Sequence, residues 1–112
     1  MWLLVKKVAV GRHKMNLNKI EIVANNSIKA DLFDALNALG LDKRYTLISD
    51  VEGFGSNGGR LGSNIWPELN FILILYLDDA QTKLVAKCCK KIKESFPDEG
   101  LKMTSWKVEI LA

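Results

Sequence analysis

The run Phe71-Ile-Leu-Ile-Leu-Tyr-Leu77 constrains the fold more than any other stretch of the chain. It is apolar at odd and even positions alike, so a strand made from it needs cover on both faces. It is also the longest apolar run, and its seven residues fall far short of the roughly 20 that a membrane-spanning helix requires. The chain therefore reads as not itself transmembrane, with a central strand at its heart. Its own helices can cover one face of that strand. Packing against another copy is the natural cover for the second.

At 112 residues the chain has room for one domain and a modest core. With 48% hydrophobic and 26% charged residues and a mean hydropathy of +0.04, it has the composition of a soluble globular protein. The net charge of +3 is uneven: residues 1–14 carry +4, through Lys6, Lys7, Arg12 and Lys14, and the remainder is close to neutral. A neutral body argues against nucleic acid as a partner. Cys88 and Cys89 are adjacent within a helical pattern, where neighbours point about 100° apart, so they do not read as a bridge. Neither a C-x-x-C pair nor a nearby histidine supplies a metal or redox set. The reading is a reduced, cytoplasmic protein with Cys88 as a small core residue.

Residues 1–14 form a leader or tail, and residues 15–112 a single domain. The lysines of the leader lie within its short apolar part, and no small-residue cleavage pattern follows, so it does not read as a signal peptide. It is either an additional strand or tail docking on the body, or a translation-start artefact ahead of a true start at Met15. The second reading is preferred, because Met15 sits just before the first convincing element. His13 is then an exposed tail residue.

From there the elements follow in order. Asn18–Ala24 is β-branched and partly alternating, hence a strand. Ser27 is placed to cap a helix over Ile28–Leu39, whose buried stripe is Ile28, Leu32, Phe33, Ala35, Leu36 and Leu39. Asp31 favours its N-terminal end, and Gly40 supplies a left-handed stop. Tyr45–Glu52 is the second strand and Asn70–Leu77 the third. Asp78 and Asp79 open a second helix with the stripe Ala80, Leu84, Val85, Cys88, Ile92 and Phe96. Lys83, Lys87, Lys90, Lys91 and Lys93 stud its opposite side, and Pro97 ends it. Leu101–Leu111 is the last strand. The order β-α-β-β-α-β predicts an α+β, ferredoxin-like sandwich: an antiparallel sheet, two helices on one face, and a long loop between strands two and three.

That loop holds five of the eight glycines, between Gly53 and Gly62. A hairpin needs only about 2–5 connecting residues, so the segment Gly53–Glu68 reads either as a functional loop or as a floppy tip. Gly53 and Gly55 can take positive φ and admit a ligand close to the backbone. Ser56, Asn57, Arg60 and Asn64 offer hydrogen bonds and one charge. No catalytic set is visible. The only histidine lies in the leader, and the loop matches neither the P-loop nor the dinucleotide glycine pattern. The chain is read as a non-enzyme.

Three stretches resemble the nitrogen-regulatory PII superfamily, over roughly residues 18–111. Asp50-Val-Glu-Gly-Phe-Gly55 ends strand two and enters the long loop. Ala30-Asp-Leu-Phe-Asp-Ala-Leu-Asn-Ala-Leu-Gly-Leu41 resembles the family's first helix and its turn. Tyr76-Leu-Asp-Asp-Ala-Gln81 resembles the junction of strand three with the second helix. The resemblance implies a homotrimer that senses a small molecule in clefts between subunits, with AMP, ADP or ATP as possible effectors and no firm cofactor. It implies a partner, a membrane transporter or an enzyme, engaged through the loop, the family's T-loop. By position, Gly53, Phe54 and Gly55 fall at the loop base beside the nucleotide, with Ser56 and Asn57 as polar contacts. Gly100 and Lys102 belong to the family's second, phosphate-binding loop. Arg60, Leu61, Ile65 and Trp66 are the candidate output surface. The sequence departs from the family at Phe96-Pro-Asp-Glu-Gly100, where two acids stand in a turn the family fills with glycine. It also lacks the paired arginines beyond the last strand. These departures resemble the broader PII-like proteins more than the nitrogen regulators themselves.

Two other readings share the strand order. A trimeric protein similar to the divalent-cation-tolerance family would need a ligand cluster, which the sequence does not display. An amino-acid-sensing regulatory domain would normally accompany an enzyme.

Overall fold

The computed structural model describes residues 15–53 and 68–112. Residues 1–14, with His13, and the greater part of the glycine-rich segment lie outside them. Strand β1 spans Met15–Asn25, followed by a 3-10 turn at Asn26–Ile28 and helix α1 at Lys29–Ala38. Strands β2 (Thr46–Gly53) and β3 (Glu68–Leu77) come next, then helix α2 (Asp79–Ser95) and strand β4 (Leu101–Ile110). The sheet order is β2-β3-β1-β4, with every neighbouring pair antiparallel. This is the expected ferredoxin-like α+β plan.

The central strands alternate sharply in burial. Phe71, Leu73, Leu75 and Leu77 of β3 are fully buried, as are Ile20 and Ile22 of β1. Against them pack Ile28, Leu32 and Leu36 of the first helical segment and Val85, Cys89 and Ile92 of α2. The other parity of each strand forms a second face. Register places Val23 between Ile72 and Lys102, and Glu21 between Ile74 and Thr104. Tyr76 and Trp106, both exposed, flank Lys19, whose ammonium lies 5.3 Å from the Trp106 ring centre. Among the described residues no helix covers this face.

Two details of the sequence reading change. The inward stripe of α2 runs through Val85, Cys89 and Ile92, so Cys89 rather than Cys88 is the core cysteine; Cys88 is half-buried. Leu84 and Phe96 are exposed, at 47% and 38%. One position along a helix rotates a side chain by about 100°, enough to move a residue off the core side. Ser27 is not the helix cap either. Asn25 caps the 3-10 turn, its side chain accepting from the Ser27 N–H at 2.8 Å. Gly40 takes the left-handed conformation expected of it, with φ 75°.

The start of α2 is tied to the sheet by a polar knot. Asp78 and Gln81 form a capping box, with Asp78 Oδ1 accepting from the Gln81 N–H at 2.7 Å. Asn18, 4% exposed, donates through Nδ2 to Asp79 Oδ1 at 2.8 Å and to Thr82 Oγ1 at 3.2 Å. Lys107 Nζ reaches the same Asp79 oxygen at 2.7 Å. The Asn18 hydrogen bond, then Lys107, hold the Asp79 carboxyl below its ordinary value of 3.8. A depressed carboxylate supplies stability above its unfolded value and loses it as pH falls through the folded one. Asn18→Ala is expected to destabilise the protein near neutral pH, by a deficit that shrinks as Asp79 becomes protonated. Denaturant melts of both proteins from pH 7 down to pH 2 check this; a deficit that stays constant as pH falls below 3.8 would refute the coupling.

Candidate ligand-binding site

The candidate residues that the structure describes, Gly53, Gly100 and Lys102, lie at one end of the sheet, where β1 and β2 finish and β3 and β4 begin. Val51 pairs with Asn70, Asn70 with Asn25, and Gly53 with Glu68. On the far side, the Asn25 N–H donates to the Gly100 carbonyl at 3.0 Å. Gly53 and the turn ending at Gly100 therefore share an end of the sheet but belong to opposite edge strands. Three strand spacings of ~4.8 Å put about 14 Å between them. One chain does not bring them into a common cleft. Lys102 is exposed on β4, in register with Val23 on the uncovered face. Phe54, Gly55, Ser56, Asn57, Arg60, Leu61, Ile65 and Trp66 all lie outside the described residues.

The loop base is shaped by a β-bulge absent from the sequence reading. Between Ile48 and Val51 the register slips, leaving one extra residue on β2. Asp50 takes φ 54° there, a conformation that Asp tolerates better than most side chains. The slip puts Ile48 and Val51 on the same face and bends the strand as it runs into Gly53. Asp50 Oδ1 also accepts from Asn26 Nδ2 at 3.3 Å. Asn26 Oδ1 is buried without a hydrogen-bond donor among the described residues. At Gly53 itself an added Cβ would lie 2.8 Å from Asn70 Nδ2. Gly100 is different: a Cβ there would meet nothing within 4 Å. The chain's own packing does not require that glycine.

The opposite corner is held by a contact the sequence did not suggest. Ser27 Oγ donates to Glu99 Oε1 at 2.7 Å, fastening the turn 96–100 to the residues after β1. The Glu99 N–H is spent on the Phe96 carbonyl at 3.0 Å. Nothing in local sequence pairs Ser27 with Glu99, because the contact spans 72 positions.

A separate groove of about 180 Å³ lies between α2 and β4, lined by Ala86, Cys89, Lys90, Lys93, Leu101 and Met103. It falls below the roughly 300–1,000 Å³ of sites that enclose drug-sized ligands. Burial pushes the Cys89 thiol up to about 11, so this cysteine is a poor nucleophile near neutral pH. The described residues contain no group of three or more His, Cys, Asp or Glu side chains placed to hold a metal ion. None of their helices is long and apolar enough to cross a membrane.

No protein-family model and no curated protein matches the sequence. Solved structures do match the fold. CPII, a nitrogen regulatory PII-like protein from Thiomonas intermedia K12 bound to ADP, AMP and bicarbonate, superposes with a TM-score of 0.64 at 19% identity, over 88% of this chain and 96% of that one. This is the fold of the PII-like proteins. A second CPII structure, with ADP and bicarbonate, gives 0.61 at 21% identity, over 86% and 89% of the two chains. A candidate PII-like signalling protein from Thermus thermophilus gives 0.54 at 19% identity, over 87% and 91%. The PII-like fold thus extends over nearly the whole of each of these chains.

Proposed function

We propose that this chain is a PII-like signalling protein, a divergent member of the nitrogen-regulatory PII superfamily. It works as a cytoplasmic, non-enzymatic homotrimer that senses an adenine nucleotide or related small molecule in clefts between subunits. The observation that carries the reading is the split site. Gly53 and the turn ending at Gly100 share one end of the sheet yet stand on opposite edges, so a ring of copies can set one against the other. The uncovered face, with Val23, Ile48, Ile72 and Ile74, offers the surface on which such a ring packs.

The effector is assigned by analogy with CPII, whose structures hold ADP, AMP and bicarbonate. Gly53, Gly100 and Lys102 line the cleft with Phe54, Gly55, Ser56 and Asn57. The segment bearing Arg60, Leu61, Ile65 and Trp66 is the output surface, since Trp and Arg are enriched among interface hot spots. Its partner is a transporter or an enzyme.

A thermal-shift screen on protein of known mass, with AMP, ADP, ATP and bicarbonate, tests this. A ligand at ~100 times its dissociation constant adds about 2.7 kcal/mol of stability. A trimer stabilised by an adenine nucleotide is the expected result. A monomer indifferent to all four ligands would overturn the proposal.

A further inference from the structure

The lysines of α2 take no part in the site described above. Lys83, Lys87, Lys90, Lys91 and Lys93 are all exposed, and Glu94 is the only acid between Lys83 and Ser95. Side chains turn by about 100° per helical residue, which puts Lys83, Lys87, Lys90 and Lys91 within one arc of about 100°. That arc faces away from Val85, Cys89 and Ile92, the side of α2 packed on the core. Along the helix axis the five lysines cover about 15 Å.

The surrounding acids do not cancel this charge. Asp79, at the start of the helix, is bonded to Asn18 and Lys107. Helix α1, packed beside α2, carries Asp31 and Asp34 against Lys29. Asp98 and Glu99 stand past the end of the helix, after Pro97. Residues 1–14 and 54–67 contain no Asp or Glu, so they bring no side-chain carboxylate to this face.

Apolar surface adjoins the lysines on both flanks. Leu84, 47% exposed, stands one turn from Lys87 on one side. On the other, the groove of about 180 Å³ sets Ala86, Cys89, Leu101 and Met103 against Lys90 and Lys93. Lysine is a point charge on a flexible stem, without the fixed fork by which arginine reads a carboxylate or phosphate. Protein interfaces are enriched in arginine and aromatic side chains and depleted in lysine, and residues 80–95 contain no arginine or aromatic side chain. A nucleic acid has phosphates for the lysines but no acyl chain for the groove. An anionic lipid has both.

We infer that this side of α2 is a docking surface for an anionic lipid bilayer: the lysines meet the headgroups, and Leu84 and the groove meet the acyl boundary. The attachment is peripheral, held by charge and a small apolar contact. Because α2 packs on the side of the sheet away from Val23 and Ile72, docking depends on neither the proposed ring nor a nucleotide.

Sedimentation of the full chain with vesicles tests this, using phosphatidylcholine alone and a mixture of two parts phosphatidylcholine to one part phosphatidylglycerol. The mixed vesicles are expected to bind the protein and the neutral ones to leave it in solution, with binding lost at high salt. Each lysine brought to an anionic surface is worth about fivefold in partitioning, so K87Q/K90Q should weaken binding by about thirtyfold. The variant K43Q/R44Q removes the same charge from the turn before β2 and should leave binding within about twofold. No binding to the mixed vesicles at low salt overturns the proposal. So does equal binding to neutral vesicles, or a loss as large in K43Q/R44Q as in K87Q/K90Q. Vesicle binding unmoved by K87Q/K90Q places the lipid contact elsewhere on the chain and likewise overturns it. Tighter binding to a random-sequence DNA duplex or to polyglutamate than to the mixed vesicles overturns the lipid assignment in favour of that partner.

Discussion

Replacing Ile72 by lysine is expected to turn the proposed trimer into a monomer. Ile72 sits at the middle of the uncovered face, in register with Val23 on one side and Ile48 on the other. It contributes nothing to the helix-covered core, so the protomer keeps its fold. In the proposed ring it is buried against other copies, and a lysine there would place like charges together in an apolar interface. Light scattering coupled to size exclusion reads the outcome directly. A full change of mass, with the far-ultraviolet circular dichroism preserved, is the expected result. An Ile72→Lys protein of unchanged mass would move the interface elsewhere and remove the physical basis for clefts between subunits. Any nucleotide response should vanish together with the trimer, because neither edge of the sheet holds the whole site.

The largest effect on stability is expected at Phe71. Its side chain is fully buried, with the Phe33 ring centroid 6.5 Å away and Phe33 in turn edge-on to Tyr45 at 5.1 Å. Phe71→Ala should cost about 3–5 kcal/mol, a large share of the ~5–15 kcal/mol that holds a domain of this size together. For a chain near ~100 residues that corresponds to a fall of about 15–30 °C in melting temperature. Leu84→Ala is the matched control. Leu84 belongs to the stripe expected from the sequence, yet its side chain is 47% exposed, and its loss should change stability by no more than about 0.5 kcal/mol. Calorimetric melts of the two variants decide which face of α2 meets the sheet. Equal losses would mean that the helix is rotated from the orientation described above.

That contrast shows where sequence reasoning succeeds and where it stops. The strand-helix order was legible because Phe71–Leu77, Ile28–Leu39 and the Asp78-Asp79 helix start each carry strong local signals. The rotation of α2 was not, since Leu84, Val85, Cys88 and Cys89 offer two apolar stripes one position apart. Only packing against β1 and β3 chooses between them. The bulge at Asp50 was hidden for a related reason. Alternation in Thr46–Gly53 gives no warning of an extra residue, and the slip becomes visible only when β3 supplies a register. Of the candidate site, the glycines and Lys102 could be named from a resemblance. The clasp between Ser27 and Glu99, and the closeness of Gly53 to Asn70, depend on contacts that no local pattern encodes.

The separation of Gly53 from the Gly100 turn has an arithmetic of its own. If each cleft joins the loop base of one copy to the turn of the next, a chain spoiled at its loop base and a chain spoiled at its turn are both inert in pure form. Mixed in one ring, they restore an intact cleft wherever a sound loop base meets a sound turn. In a closed ring with head-to-tail contacts, random mixing of equal amounts of the two would leave such a cleft at about a quarter of the junctions. Every sensing unit is then common property of two neighbours, and inherited damage at one edge can be masked by a partner damaged at the other.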